Sequence, residues 1–287
     1  MPTAKVNGIE LAYEVYGDGF PLVLAHGYTA SKEMWEAQVG PFSQRYRVIV
    51  YDARGHGESE APPADDPGYN LRTFVEDQRA LMEHLGIGEA YVGGLSMGGM
   101  IAMRLALKHP KLTRALLLCD TGPGLGDLPS HFGMGDRWRV QRAAVEALAR
   151  TQGVATMMRT LYAQRPELQR FSGTDELPVG VRAHVQRLGR MSVEGFIGGG
   201  RALAAQGSVL ERLGEITAPT LILVGDQDFL RGPSEQMQRR MPGARFVLIK
   251  GSGHGTCLWQ PEKFTAAVLD FLSDVEAGRP VAGREER

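Results

Sequence analysis

A short apolar run at residues 90–93 passes through Gly93-Gly94-Leu95-Ser96-Met97-Gly98-Gly99 into a segment of helical spacing at 97–108, which Pro110 stops. A strand that turns directly into a helix holds its turn residue in strained backbone geometry, with the side chain exposed at the tip. Positions two before and two after that residue must be small, because the strand and helix backbones nearly touch. Gly94 and Gly98 meet this demand around Ser96, and Gly93 and Gly99 extend it. A turn of this kind exists only where a strand feeds a helix, so it constrains the whole chain toward an α/β architecture.

The rest of the chain agrees. Residues 9–16 alternate apolar and polar positions as a half-buried strand does. Runs at 21–25, 47–51, 113–119, 220–224 and 245–249 are short, apolar and bounded by turn chemistry. Helical spacing recurs at 71–85, through Leu71, Phe74, Val75, Leu81, Met82 and Leu85, and at 261–274. Near-continuous apolar strands alternating with helices predict a mostly parallel sheet covered on both faces. Residues 123–212 differ: they show no convincing strand, and apolar positions recur at helical spacing in 138–148 and 154–161. This stretch has no lysine and twelve arginines against eight acids, a net of +4. Those arginines either face solvent or favour an anionic substrate. Gly198-Gly199-Gly200 reads as a loop or hinge, and the polar, Arg/Glu-rich residues 275–287 read as a frayed tail. The expected division is a core of 1–122 and 213–274 with a helical cap at 123–212.

Composition narrows the function. With 32 Lys+Arg against 33 Asp+Glu, the net charge of −1 removes the electrostatic argument for nucleic acid or a membrane surface. No eighteen-residue apolar stretch exists, and the first residues lack the apolar core of a signal peptide, so the expected location is the cytoplasm. The two cysteines, Cys119 and Cys257, fit neither a disulfide framework nor a metal cluster and are expected to be small buried residues.

A serine at a strand–helix turn becomes a nucleophile only with a base. Of seven histidines, His254 lies on the loop Gly251-Ser252-Gly253-His254-Gly255 just past a strand, where it is free to reach across the sheet. The base needs an orienting carboxylate. Asp228 is the first choice, Asp226 its rival and Asp120, ending an earlier strand, a third candidate. Ser96, Asp228 and His254 follow the chain order Ser…Asp…His. A tetrahedral intermediate also needs donors for its oxyanion. The N–H of Met97 is one, and the N–H of Tyr28, in His26-Gly27-Tyr28 after the strand at 21–25, is the natural second.

Together, His26-Gly27-Tyr28, Asp52-x-Arg54-Gly55-x-Gly57-x-Ser59, Gly94-Leu95-Ser96-Met97-Gly98-Gly99, Gly225-x-x-Asp228 and Gly253-His254 resemble the α/β-hydrolase fold superfamily over residues 6–272. Within it, the stretch around Ser96 and the later Leu-Leu-Leu-Cys-Asp-Thr resemble 3-oxoadipate enol-lactonases and small bacterial carboxylesterases. The resemblance implies a mostly parallel eight-stranded sheet with helices on both faces and a helical cap inserted after the sixth strand. It implies Ser96 as nucleophile, Asp228 as acid, His254 as base, and the backbone of Tyr28 and Met97 as oxyanion hole. No metal or organic cofactor is expected. Serine at this position argues against the dehalogenases and epoxide hydrolases of the fold, which use aspartate. The expected substrate is a small carboxylic ester or lactone. Carbon–carbon bond hydrolysis and perhydrolysis would use the same residues, and a hydrolase-like binding protein is the reading of another class. Tyr28, Trp138, Met157, Leu161 and Phe196 are the expected substrate-wall residues.

Overall fold

The computed structural model describes residues 2–124, 136–163, 178–187 and 191–287. Each of the runs read from the sequence becomes a strand, and two further strands, β1 and β9, flank them: β1 (Thr3–Val6), β2 (Ile9–Tyr16), β3 (Phe20–Ala25), β4 (Tyr46–Tyr51), β5 (Ala90–Leu95), β6 (Thr113–Cys119), β7 (Thr220–Gly225), β8 (Arg245–Ile249) and β9 (Gly283–Glu286). The sheet order is β1-β2-β4-β3-β5-β6-β7-β8-β9. β1 and β2 form an antiparallel hairpin, β2 pairs antiparallel with β4, and every other pairing is parallel. The hairpin turns at Asn7-Gly8, both at positive φ (47° and 82°), as a two-residue turn matched to strand twist requires.

The expected mostly parallel sheet with helices on both faces is present. Helices α1 (Glu36–Ser43), α2 (Leu71–His84), α3 (Met97–Lys108), α4 (Asp136–Ala163), α5 (Val179–Arg187), α6 (Val193–Ala205), α7 (Arg231–Arg240), α8 (Thr256–Trp259) and α9 (Pro261–Glu276) follow or connect the strands. Alternate side chains of one strand feed two cores. Val92 of β5 and Phe246 and Leu248 of β8 join the core under α2, α3 and α7, while Tyr91, Leu95, Val247 and Ile249 join that under α1 and α9. All six residues of β5 and of β7 are buried, which explains why these strands read as continuous apolar runs.

Two expectations change. The sheet has nine strands, not eight, because the tail does not fray: α9 runs to Glu276 and β9 adds parallel to β8. Its polarity is that of an edge strand. Lys250 N–H donates to the Arg287 carbonyl (2.7 Å), Arg287 N–H to that of Leu248 (2.9 Å), and the Arg284 guanidinium lies 4.5 Å over the Phe246 ring. Gly198-Gly199-Gly200, in turn, lies inside α6 rather than in a loop. The glycines let the helix sit directly on the core. A Cβ on Gly195 would lie 1.7 Å from the Gly55 carbonyl oxygen, and one on Gly198 would lie 2.3 Å from the Tyr69 ring.

The described part of residues 123–212 is helical, with α4, α5 and α6 lying between β6 and β7. α4 is broken at Gly153, whose φ is 76°. Both ends of this excursion meet at Arg104 of α3, whose guanidinium donates to the carbonyls of Pro123 (3.3 Å) and Gly207 (2.6 Å). Among the described residues no helix is long and apolar enough to cross a membrane.

Candidate active site

Ser96 sits between β5 and α3 with φ 55° and ψ −113°, a conformation costing a non-glycine residue about 1–3 kcal/mol. Its surroundings impose this turn. Ser96 N–H donates to the Cys119 carbonyl (3.0 Å), and the Ser96 carbonyl accepts from Thr121 Oγ1 (2.7 Å) and Met100 N–H (3.1 Å). The flanking glycines close the gap: a Cβ on Gly98 would lie 2.1 Å from the Ala25 carbonyl oxygen, and one on Gly94 would lie 2.4 Å from the Gly98 carbonyl carbon.

The loop carrying Tyr28 is fixed through His26 and Lys32. His26 is buried; its Nδ1 lies 2.7 Å from the Gly27 carbonyl, while its Nε2 accepts the Ala53 N–H (3.0 Å), so the proton belongs on Nδ1. Burial pushes its pKa down to about 4, so it stays neutral and keeps that pattern. Asp52 accepts from Lys32 N–H (2.7 Å), Lys32 Nζ (3.0 Å) and Glu58 N–H (3.0 Å). Ser59 Oγ donates to the Asp52 carbonyl (2.6 Å), and Arg54 makes a two-pronged ion pair with Asp77 of α2 (2.9 and 3.0 Å). The Asp-x-Arg-Gly-x-Gly-x-Ser stretch therefore braces the Tyr28 loop. Met97 is the first residue of α3, where an N–H has no partner inside the helix. No backbone carbonyl among the described residues accepts the Tyr28 N–H.

Of the three carboxylates considered, Asp228 faces His254. His254 Nδ1 lies 3.0 and 3.1 Å from the two Asp228 oxygens, and Leu230 N–H donates to Asp228 Oδ1 (2.8 Å). Asp226 instead accepts from Ser252 N–H (3.2 Å) and closes the loop. Asp120 is fully buried beneath both loops and accepts from Gly225 N–H and from Thr256. Burial raises the Asp228 carboxyl, but the imidazole of His254 and its hydrogen bond outweigh this and leave it below the ordinary range. Burial likewise lowers His254, and the facing Asp228 overcomes it, leaving the imidazole above its ordinary 6.5.

Ser96 and His254 open on one cavity of about 160 Å³, whose other described lining residues are Tyr28, Met100, Leu203, Phe229 and Leu230. The Phe229 ring lies 4.7 Å from the imidazole of His254. Met100, Leu203, Phe229 and Leu230 were invisible as wall residues in the sequence, where each reads as ordinary helix core or loop. Of the expected wall residues whose side chains are described, only Tyr28 lines this cavity. Met157 and Phe196 are buried in the core of the α4–α6 segment with Ala149, Val154 and Met191, and Phe196 reaches the site through Tyr28, its ring stacked behind that of Tyr28 (5.7 Å) and its carbonyl accepting the Tyr28 hydroxyl. Their helical spacing reflects internal packing of that segment. The side chains of Trp138 and Leu161 lie outside the described residues. A larger hollow of about 460 Å³ lies at the β8–β9 edge, but its arginines are engaged by Asp274, Glu235, Asp270 and Glu285, and no histidine is among its described lining residues.

Among the described arginines of residues 123–212, Arg142 and Arg201 pair with Glu146, Arg150 with Glu194 and Arg187 with Glu36. Both cysteines are buried thiols. No cluster of three metal-ligating side chains occurs among the described residues.

The chain has similar proteins of known structure and sequence. The 3-oxoadipate enol-lactonase 1 of Acinetobacter baylyi is 26% identical over 96% of this chain and 94% of its own. A thermophilic esterase from Thermogutta terrifontis superposes with a TM-score of 0.81 at 30% identity, covering 96% of this chain and 99% of the esterase. The enol-lactonase of Burkholderia xenovorans LB400 gives 0.80 at 27% identity, covering 95% and 100%. A family model described as the alpha/beta hydrolase fold matches residues 21–261. With the strand–Ser96–helix turn, the parallel sheet and these relatives in agreement, the chain belongs to the α/β-hydrolase fold family.

Proposed function

We propose that this protein is a serine hydrolase of small, uncharged carboxylic esters or lactones, working through an acyl-enzyme. The observation that carries this reading is the shared cavity: the strained Ser96 and the Asp228-paired His254 open together on one small, mainly apolar space. Asp228 holds the proton of His254 on Nδ1, which leaves Nε2 as the acceptor for the Ser96 hydroxyl. Ser96 Oγ attacks the carbonyl carbon as its proton passes to Nε2. The negative charge on the former carbonyl oxygen is met by the N–H groups of Met97 and Tyr28. His254 returns the proton to the leaving alcohol, and a water activated by His254 then releases the acid. The α4–α6 segment serves as the cap: it supplies Leu203 to the lining, and its Phe196 carbonyl accepts the Tyr28 hydroxyl.

Among the described residues no arginine lines the cavity, and Arg142, Arg150, Arg187, Arg201 and Arg212 of this segment are paired with glutamates, which favours an uncharged substrate. A cavity of about 160 Å³ is small beside ordinary ligand pockets of about 300–1,000 Å³, which favours short acyl chains. The test is a p-nitrophenyl ester series of increasing acyl length, beside labelling by a fluorophosphonate. Turnover should be highest for acetyl to butyryl esters and about tenfold lower or more for octanoyl. Leu203→Ala should shift the preference toward longer chains. No turnover and no labelling in the folded protein would overturn the proposal.

The pH dependence has a fixed sign. The base acts only when neutral, and Asp228 favours its charged form, so kcat/KM should fall as pH drops through a midpoint above 6.5. Asp228→Asn should move that limb to lower pH while reducing kcat. An acid limb unchanged in that variant would count against His254 as the titrating base.

A further inference from the structure

Beneath the His254–Asp228 pair lies a second carboxyl group that the hydrolytic reading leaves without a task. Asp120 directly follows β6 in the left-handed region (φ 44°), which aspartate tolerates better than most side chains, and it is fully buried. Its side chain ties together both loops that carry the pair. Oδ1 accepts Gly225 N–H, at the end of β7 just before Asp228 (3.1 Å). Oδ2 accepts both Thr256 N–H and Thr256 Oγ1–H, two residues beyond His254 (each 2.7 Å). Asp120 also lies close enough to the Asp228 carboxyl for each to shift the titration of the other.

The charges facing it do not balance. Asp228 comes from the loop after β7 and His254 from the loop after β8, while Cys119 on β6 and Cys257 on α8 are thiols held protonated by burial. His184 of α5 lies beyond His254, and burial keeps it neutral, with its pKa down at about 4. The imidazole is thus the one group in this set that can offer a positive charge, and it serves Asp228. Two buried carboxyls that share one imidazole cannot both ionise cheaply. The hydrogen bonds are unequal in the sense this demands: two short donors meet Oδ2, as they would a carbonyl oxygen, and one longer donor meets Oδ1, as it would a hydroxyl.

We propose that Asp120 is a positioning residue that acts as a neutral carboxylic acid, its Oδ1–H donated to Asp228 while its oxygens hold Gly225 and Thr256. Asp228 then keeps the single negative charge facing His254, and both loops are tied to the end of β6. Burial first and the charge of Asp228 second outweigh the opposing pull of His254 and the Thr256 donors and push the Asp120 carboxyl up to about 8, far above the ordinary carboxylate range. Loss of that proton places a second negative charge by His254, raises the affinity of the imidazole for a proton and removes the bond to Asp228. This inference rests on the Ser96–His254–Asp228 reading.

The test compares wild type with Asp120→Asn, an isostere of the neutral acid, and with Asp120→Ala. Difference infrared spectra between neutral and alkaline pH should show a protonated-carboxyl band in wild type, lost with a midpoint near 8 and absent from Asp120→Asn. In ester turnover, Asp120→Asn, which keeps a donor to Asp228 and the acceptor for Thr256 but loses the acceptor for Gly225 N–H, should stay at least about tenfold above Asp120→Ala in kcat and lose the decline above that midpoint, whereas Asp120→Ala should lose about 10²-fold in kcat at unchanged KM. Absence of the band from wild type, or an Asp120→Asn enzyme as impaired as Asp120→Ala, would overturn the proposal. If Asp120→Ala does not fold, the wild-type and Asp120→Asn spectra and pH profiles still decide it. Retained turnover in Ser96→Ala would instead sink the hydrolytic reading and leave the infrared result standing.

Discussion

Ser96→Ala is expected to lower ester turnover by about 10⁴-fold or more and to abolish fluorophosphonate labelling, with the fold intact. The size of the effect follows from the chemistry. Removing Oγ removes the only atom at the tip of the β5–α3 turn that can form the acyl-enzyme, while His254 and Asp228 stay paired at 3.0 Å. What remains is binding and the oxyanion donors. Stability should not fall, because Ser96 Oγ makes no hydrogen bond among the described residues and the turn is held by backbone bonds to Cys119, Met100 and Thr121. The measurement is kcat/KM on p-nitrophenyl acetate together with a thermal unfolding curve. Wild-type turnover in the variant would remove Ser96 from the mechanism.

Gly98→Ala is expected to be strongly damaging both to stability and to the site. Its Cβ would lie 2.1 Å from the Ala25 carbonyl oxygen, 2.5 Å from the Ala25 carbonyl carbon and 2.8 Å from the His26 carbonyl oxygen. All three are backbone atoms, so no side chain can swing away. Either α3 moves off β3, or β3 and the Tyr28 loop move off α3. Overpacking of this kind costs about 3 kcal/mol or more, and a melting temperature lower by about 6 °C or more. Activity in the surviving folded fraction should fall too, because the displaced backbone is the one that carries Tyr28. Gly40→Ala is the control: it lies in α1 with nothing within 4 Å of its Cβ, and should gain about 0.5–1 kcal/mol. Equal melting temperatures for Gly98→Ala and wild type would show that the close approach of α3 and β3 is not a constraint.

Much of this was legible along the chain, for a physical reason. Backbone conformation is set by residues a few positions apart. The β5–Ser96–α3 turn, its glycines and the buried parallel strands all announce themselves through short-range spacing and composition. The same locality explains the errors. Residues 283–286 look like a frayed tail because a polar strand has no local signal; it becomes a strand through the open edge of β8. Gly198-Gly199-Gly200 looks like a loop because glycine disfavours helices, and it is helical because α6 has to sit against Gly55 and Tyr69.

The site divides the same way. That a serine, a histidine on a glycine loop and a carboxylate past β7 occur at all is written in the order of residues. Which carboxylate faces the imidazole is not. Asp120, Asp226 and Asp228 all lie at strand ends, and only the parallel register of β6, β7 and β8 turns Asp228 to His254, Asp226 to Ser252 and Asp120 to Gly225 and Thr256. The cavity wall is likewise a tertiary fact, since Met100, Leu203 and Phe229 come from three elements far apart in sequence. Local steric rules act over a few residues and can be read from them; side-chain juxtaposition across a sheet is decided by packing and register, which exist only once the chain has folded.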